Sequence, residues 1–149
     1  MMPRGGHHMR KVILVLIAAA AGCGGSSGGN LDPGLGGTWS GTATLTLAGG
    51  SPQQFSGGLT VAVSGQSATV NVCLDGSGPI TMHGSGQSAS WQGSMACAPV
   101  QFTGCAAVTL TFQSASVSLN GSTLTVQSGG SLSGCGTTLG FTLGLSGTK

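Results

Sequence analysis

The sequence predicts an all-β fold: an antiparallel, up-and-down meander of about eight strands, closed as a barrel or folded as a sandwich. Three observations predict it. From residue 38 onward apolar side chains recur at every second position. Short glycine-containing turn signals separate these runs. Beyond residue 23 no segment shows a helical period. Thirty glycines in 149 residues with only 4% charged residues could describe a disordered tract. Regularly spaced Val, Leu, Phe and Trp point instead to one folded domain.

The strands follow in order. Trp39, Ala43, Leu45 and Leu47 share one face, and Ser40, Thr42, Thr44 and Thr46 the other, so the first strand has a hydroxyl-rich wet side. Phe55, Leu59, Val61 and Val63 repeat the pattern, and Ala68, Val70, Val72 and Leu74 answer them across Ser64-Gly65-Gln66-Ser67. Glycine first in a two-residue loop suits a type II′ hairpin; pairing Ser64 with Ser67 sets Val61 against Val70 and Leu59 against Val72. The same tetrapeptide at residues 85–88 predicts a second hairpin with Met82 opposite Trp91. Asn120-Gly121 reads as a type I′ pair that sets Val117 against Leu124 and Ala115 against Val126. Val108, Leu110 and Phe112 lie on the opposite parity to Ala115 and Val117, which predicts a bulge near Gln113-Ser114. A last strand over about residues 137–146 carries Leu139, Phe141, Leu143 and Leu145.

The net charge of +2 comes from the start of the chain, where Arg4, Arg10 and Lys11 lie. The rest carries one lysine, Lys149, against Asp32 and Asp75. A basic patch able to displace phosphate counterions is absent from it, so nucleic acid is not an expected partner.

Arg10-Lys11 precede eleven apolar or small residues, 12–22. A spanning helix needs about 20 apolar residues, so this run suits the core of a signal peptide. It ends in Ala20-Ala21-Gly22-Cys23 and resembles the lipobox of bacterial lipoproteins. The resemblance covers residues 1–23 and implies lipidation of Cys23, cleavage before it, and a lipid-anchored location in the bacterial cell envelope. Met1, Met2 and Met9 all offer starts, and His7-His8 fall in the stretch ahead of Met9. The expected organisation is a signal peptide over 1–22, a lipidated cysteine and Gly/Ser-rich tether over 23–36, and a β domain over 37–149. Asp32-Pro33-Gly34 ends the tether as a turn.

Four further cysteines, Cys73, Cys97, Cys105 and Cys135, read as two disulfides in an exported chain. A meander puts all four at one pole and both ends of the domain at the other. Pairing Cys97 with Cys105 and Cys73 with Cys135 is expected, because the 97–105 loop closes locally around Pro99. A four-cysteine zinc site is the rival; no Cys-x-x-Cys spacing supports it.

Chemistry is sparse. Asp75 opens the fourth strand and His83 nearly ends it, a separation of about 20 Å or more at the rise of a strand. Asp32 lies in the tether. A Ser-His-Asp site and a paired-carboxylate site are both disfavoured. No enzyme activity, cofactor or metal is expected.

Gly37-Thr38-Trp39 resembles the Gly-x-Trp signature of lipocalins, eight-stranded barrels that carry small apolar ligands. In that family the tryptophan closes the barrel base, commonly beneath an arginine from a late strand. The resemblance implies a ligand cavity, for which Trp39, Gly41, Phe55, Gly57, Trp91, Gly93 and Phe141 are the candidate residues. The inward glycines equally permit sheet curvature and close packing. A carrier should hold an apolar cavity of roughly 300 Å³ or more. The function expected is a monomeric, non-enzymatic structural or interaction module on a lipid anchor; the alternative is binding of a small apolar ligand inside the barrel.

Overall fold

The computed structural model describes residues 29–149 apart from residue 74. The signal peptide, expected from its apolar run to be an N-terminal helix, and Cys23 lie outside the described residues. A short 3₁₀ turn (Pro33–Leu35) precedes nine strands: β1 (Gly37–Leu47), β2 (Gln53–Ser64), β3 (Ser67–Asn71), β4 (Pro79–Ser85), β5 (Ser88–Ala96), β6 (Val100–Phe102), β7 (Cys105–Asn120), β8 (Thr123–Gly134) and β9 (Thr137–Thr148).

Neighbours in the chain pair antiparallel, β5 reaches past β6 to pair with β7, and β1 pairs with β9. Eight strands therefore form a closed hydrogen-bonded ring, the predicted meander. The ninth strand, β6, lies in the 97–105 segment expected to be a plain loop, and it continues along β7 on the side that β5 occupies below it.

Alternation explains the walls. Trp39, Ala43, Val61, Val70, Met82, Val117, Val126 and Leu145 point inward and are buried. Outside, hydroxyls pair across strands, as Thr38 with Thr60 at 3.0 Å and Thr69 with Thr81 at 3.1 Å. Phe112 and Phe141 meet edge to face, centroids 5.3 Å apart.

The bulge falls where expected: the β7–β8 register shifts between Phe112 and Ser114, and the inward parity changes there. The Ser64–Ser67 and Ser85–Ser88 hairpins also have the expected register. The third hairpin differs. Asn120 pairs with Thr123, so the loop is Gly121-Ser122, and Val117 lies opposite Val126 rather than Leu124. Gly121 has φ +60°, matching Gly65 at +58° in the first hairpin, so glycine again leads the loop. A two-residue slip preserves both apolar faces, which is why parity could not distinguish the registers.

Two ladders stop short of expectation. β2–β3 pairing ends at Val61↔Val70, without Leu59↔Val72, and β4–β5 pairing ends at His83↔Ser90, without Met82↔Trp91. The β3–β4 turn causes the first. Asp75 Oδ1 accepts hydrogen bonds from the Ser77 N–H at 2.9 Å and the Ser77 hydroxyl at 2.5 Å, and the chain reverses soon after Asn71. In the second, β5 bends toward β7 through a bulge between Gln92 and Met95.

One pole, termed lower, holds the start of β1, the end of β9, and the loops after β2, β4 and β7. All four cysteines lie at the other pole, as the meander predicts, but the pairs are Cys73–Cys97 and Cys105–Cys135. Their Cα atoms are 5.5 and 5.4 Å apart. A local Cys97–Cys105 bridge does not form because β6 carries the chain along β7 between them, while Val108↔Gly134 pairing brings the β7 start to the β8–β9 turn.

The packed body starts ahead of Gly37. Leu31 and Leu35, placed in the tether by composition, are buried core residues. The Leu31 N–H donates to Gly65 O at 2.8 Å and the Asp32 N–H to Gly86 O at 2.7 Å, so this segment plugs the lower pole.

The two disulfides differ in exposure. Cys73 and Cys97 are 8% and 9% exposed. Cys135 is exposed, and at φ +52° is the one non-glycine residue of positive φ among the described residues. Mild dithiol treatment followed by alkylation and peptide mapping should label Cys105 and Cys135 first. Earlier labelling of Cys73 and Cys97 would contradict the exposure difference.

Candidate functional site

Inside the ring of strands, in the half of the barrel away from the plug, lies an apolar cavity of about 160 Å³ that is partly open to solvent. Phe55, Gly57 and Leu59 of β2, with Val70 of β3 and Val72 just beyond its end, form one side. Phe112 and Ala115 of β7, Val126 of β8 and Leu145 of β9 form the other. The cavity exists because β3 ends early: above Val61↔Val70, β2 has no partner on that side and the wall parts. Asn71 and Ser128 bring the polar side chains of the lining. The Ser128 hydroxyl donates to Leu143 O at 3.4 Å, and Asn71 is exposed at the rim. Among the described residues no charged side chain belongs to the lining, so a guest would be held by removal of apolar surface from water and by shape.

The candidate residues divide. Phe55, 48% exposed, and Gly57 border the cavity. A methyl group at Gly57 would press on Ala43 Cβ at 2.8 Å and Leu145 Cδ1 at 3.1 Å, so the missing side chain lets those two pack close to the β2 backbone. Phe141 is buried behind Phe112 and supports that wall. Gly41 opens no space for a ligand: a Cβ there would collide with the Ser146 carbonyl of β9, so this glycine permits close strand approach. The Trp91 ring covers Gly93, 2.7 Å from where a Cβ would stand, and neither lines the cavity.

Trp39 belongs to the base. Its indole N–H donates to Leu35 O at 3.0 Å, and Lys149 Nζ stands 4.7 Å from the ring centroid while donating to Gly34 O at 2.8 Å. A lysine from the end of β9 thus covers the ring in a region without arginine. Composition hid this contact, because one lysine at position 149 carries no local motif.

The remaining polar groups do not converge. His83 is exposed, its Nδ1 3.2 Å from the Ser67 hydroxyl on the outer wall. Asp75 lies at the opposite pole in the β3–β4 turn rather than at the start of a strand. The Asp32 carboxylate accepts from the Gly34 N–H at 2.7 Å and caps the 3₁₀ turn, a fixed position that composition did not indicate. Among the described residues, no three His, Cys, Asp or Glu side chains gather into a metal site, and the four upper-pole cysteines are paired.

No family model, curated protein or solved structure matches the chain.

The Ser77 hydroxyl and N–H hold the Asp75 carboxyl below the usual carboxylate range. A carboxyl with a depressed folded-state pKa contributes stability above its unfolded value, and the contribution disappears as pH falls through the folded value. Acid unfolding of Asp75→Asn should therefore show a shallower loss of stability below about pH 4 than the parent protein. Superimposable pH–stability curves would show that the Asx turn contributes nothing.

Proposed function

We propose that this chain is a non-enzymatic, lipid-anchored protein of the bacterial cell envelope, with Cys23 as the anchor. The observation that carries this reading is the position of Leu31. The chain leading from Cys23 joins the barrel at the plugged lower pole, where the β9 end also lies, while the disulfides brace the far pole. A lipid at Cys23 would leave the cavity and the braced pole clear of the bilayer. Two disulfide pairs also suit a non-reducing compartment. The test is Cys23→Ser in cells: the variant should escape lipid labelling and leave the membrane fraction. Unchanged processing and membrane retention would refute the anchor.

The cavity favours a second reading within the first, binding of a small apolar molecule. Its volume is about half that expected of a carrier, so the guest must be compact. An engineered cavity of roughly 150 Å³ in another protein stays dry and admits benzene, which sets the scale for an uncharged, single-ring or short branched group. Fluorobenzene titrated into the folded, oxidised protein should give saturable ¹⁹F exchange broadening. Ala115→Leu, which adds a side chain to the cavity wall, should abolish it while keeping or raising the unfolding temperature. Equal broadening in the variant would place the probe elsewhere.

A further inference from the structure

The β3–β4 hairpin is tied to the barrel unevenly. Within itself it is paired from Ser67↔His83 to Asn71↔Pro79, and its turn is closed by the Val72 N–H to Gly78 O at 3.2 Å and the Cys73 N–H to Ser77 O at 3.1 Å. To its neighbours it is paired only near the lower pole, from Ser64↔Ser67 to Val61↔Val70 with β2 and from Ser85↔Ser88 to His83↔Ser90 with β5. Above those levels the upper part of β2 pairs with β1 alone, and the upper part of β5 with β7 alone. The hairpin is thus a tongue, rooted at the lower pole and, among the described residues, without ladder pairing to β2 or β5 above that root.

The flanks are not equivalent. On the β5 side the tip is clasped by Cys73–Cys97, whose sulfurs sit in a largely buried environment. On the β2 side the described residues place no ladder bond or covalent tie above Val61↔Val70, and the apolar cavity lies at this flank. Its margin is formed by Gly57 and Gly58 of β2 against Val70, Asn71 and Val72 of the tongue. Gly57 and Gly58 thin that margin between Phe55 and Leu59, whose side chains line the cavity on the β2 side. Phe55 stands partly in solvent at the end of β2 farthest from the root.

We propose that the β3–β4 hairpin is a lateral gate: a compact apolar ligand passes between β2 and β3, and the Cys73–Cys97 clasp limits how far the tongue swings. This rests on the reading that the cavity binds such a molecule. Opening breaks no ladder bond between β2 and β3 above the root, and its extent is limited because Val70, Ile80 and Met82 of the hairpin are buried in the core. Reducing the clasp frees the tip without touching the cavity wall, which makes ligand exchange responsive to redox state.

The test uses fluorobenzene and the oxidised folded protein, with ¹⁹F exchange spectroscopy giving both affinity and dissociation rate. Thr60→Cys/Asn71→Cys continues the β2–β3 register one step and, with the bond verified by peptide mapping, staples the seam. It should lower the dissociation rate by about tenfold or more while affinity changes by less than about threefold, since a gate alters rates rather than the bound state. Cys73→Ser/Cys97→Ser should raise the rate by about tenfold, and Cys105→Ser/Cys135→Ser should leave it within about twofold. Unchanged rates in both the stapled and the unclasped proteins would overturn the gate and leave the cavity reading intact. Failure of the parent protein to bind fluorobenzene would overturn both.

Discussion

The structure depends on closing one hydrogen-bonded ring with strands of unequal length. β3 has 5 residues and β4 has 7, whereas β2 has 12 and β7 has 16. All eight ring strands reach the lower pole, where every neighbour can pair and no sheet edge remains. Toward the upper pole the two short strands run out, and their long neighbours continue without them. The parted wall, the cavity behind it and the disulfide clasp all follow from that inequality. A meander of equal strands would need no clasp and would have no lateral gap.

The two poles solve different physical problems. At the base, Trp39, Leu35 and Leu31 are almost wholly removed from water. Each such side chain contributes roughly 1.5–3 kcal/mol relative to exposure. The indole N–H, the donor that burial would otherwise orphan, is taken by the Leu35 carbonyl. At the top, burial is poorer and cross-links substitute for it. A glycine-rich chain loses more backbone freedom on folding than most, and closing loops of 24 and 30 residues restricts the unfolded ensemble where the native core is thinnest.

The strands, their inward faces, the β7 bulge and the shared pole of the four cysteines were legible because each depends on parity or on chain order alone. Phe112 and Ala115 cannot both face inward in a regular strand, so the bulge is forced by the sequence itself. The Asn120-Gly121 register was not legible, because shifting a hairpin by two residues changes no face and leaves only turn preference to decide. The disulfide partners depended on β6, three residues with no periodic signal. Leu31 and Leu35 were hidden by their Gly/Ser-rich surroundings, although two leucines within a supposed solvated tether were themselves a sign of burial. Of the cavity, Phe55 and Gly57 could be named because both are inward on β2. Val70, Val72 and Ala115 could not, since only the early end of β3 separates a filled core from an opened one.

The position of the gap bears on what kind of molecule the barrel could meet. A barrel open at its end would present its mouth to whatever lies beyond the braced pole. Here the Cys73–Cys97 and Cys105–Cys135 bridges brace the rim of that end, and the gap lies in the side wall above the root of the β3–β4 hairpin. With the proposed anchor at Cys23, the plugged base would be the pole nearer the bilayer and the side wall would face along the membrane surface. Trp39, Leu35 and Lys149 would close the direct path from the lipid phase, so a guest would have to arrive from the aqueous layer. That requirement agrees with the size of the cavity. A compact apolar molecule retains some solubility in water, whereas a long acyl chain would stay in the membrane and would overfill a cavity of about 160 Å³.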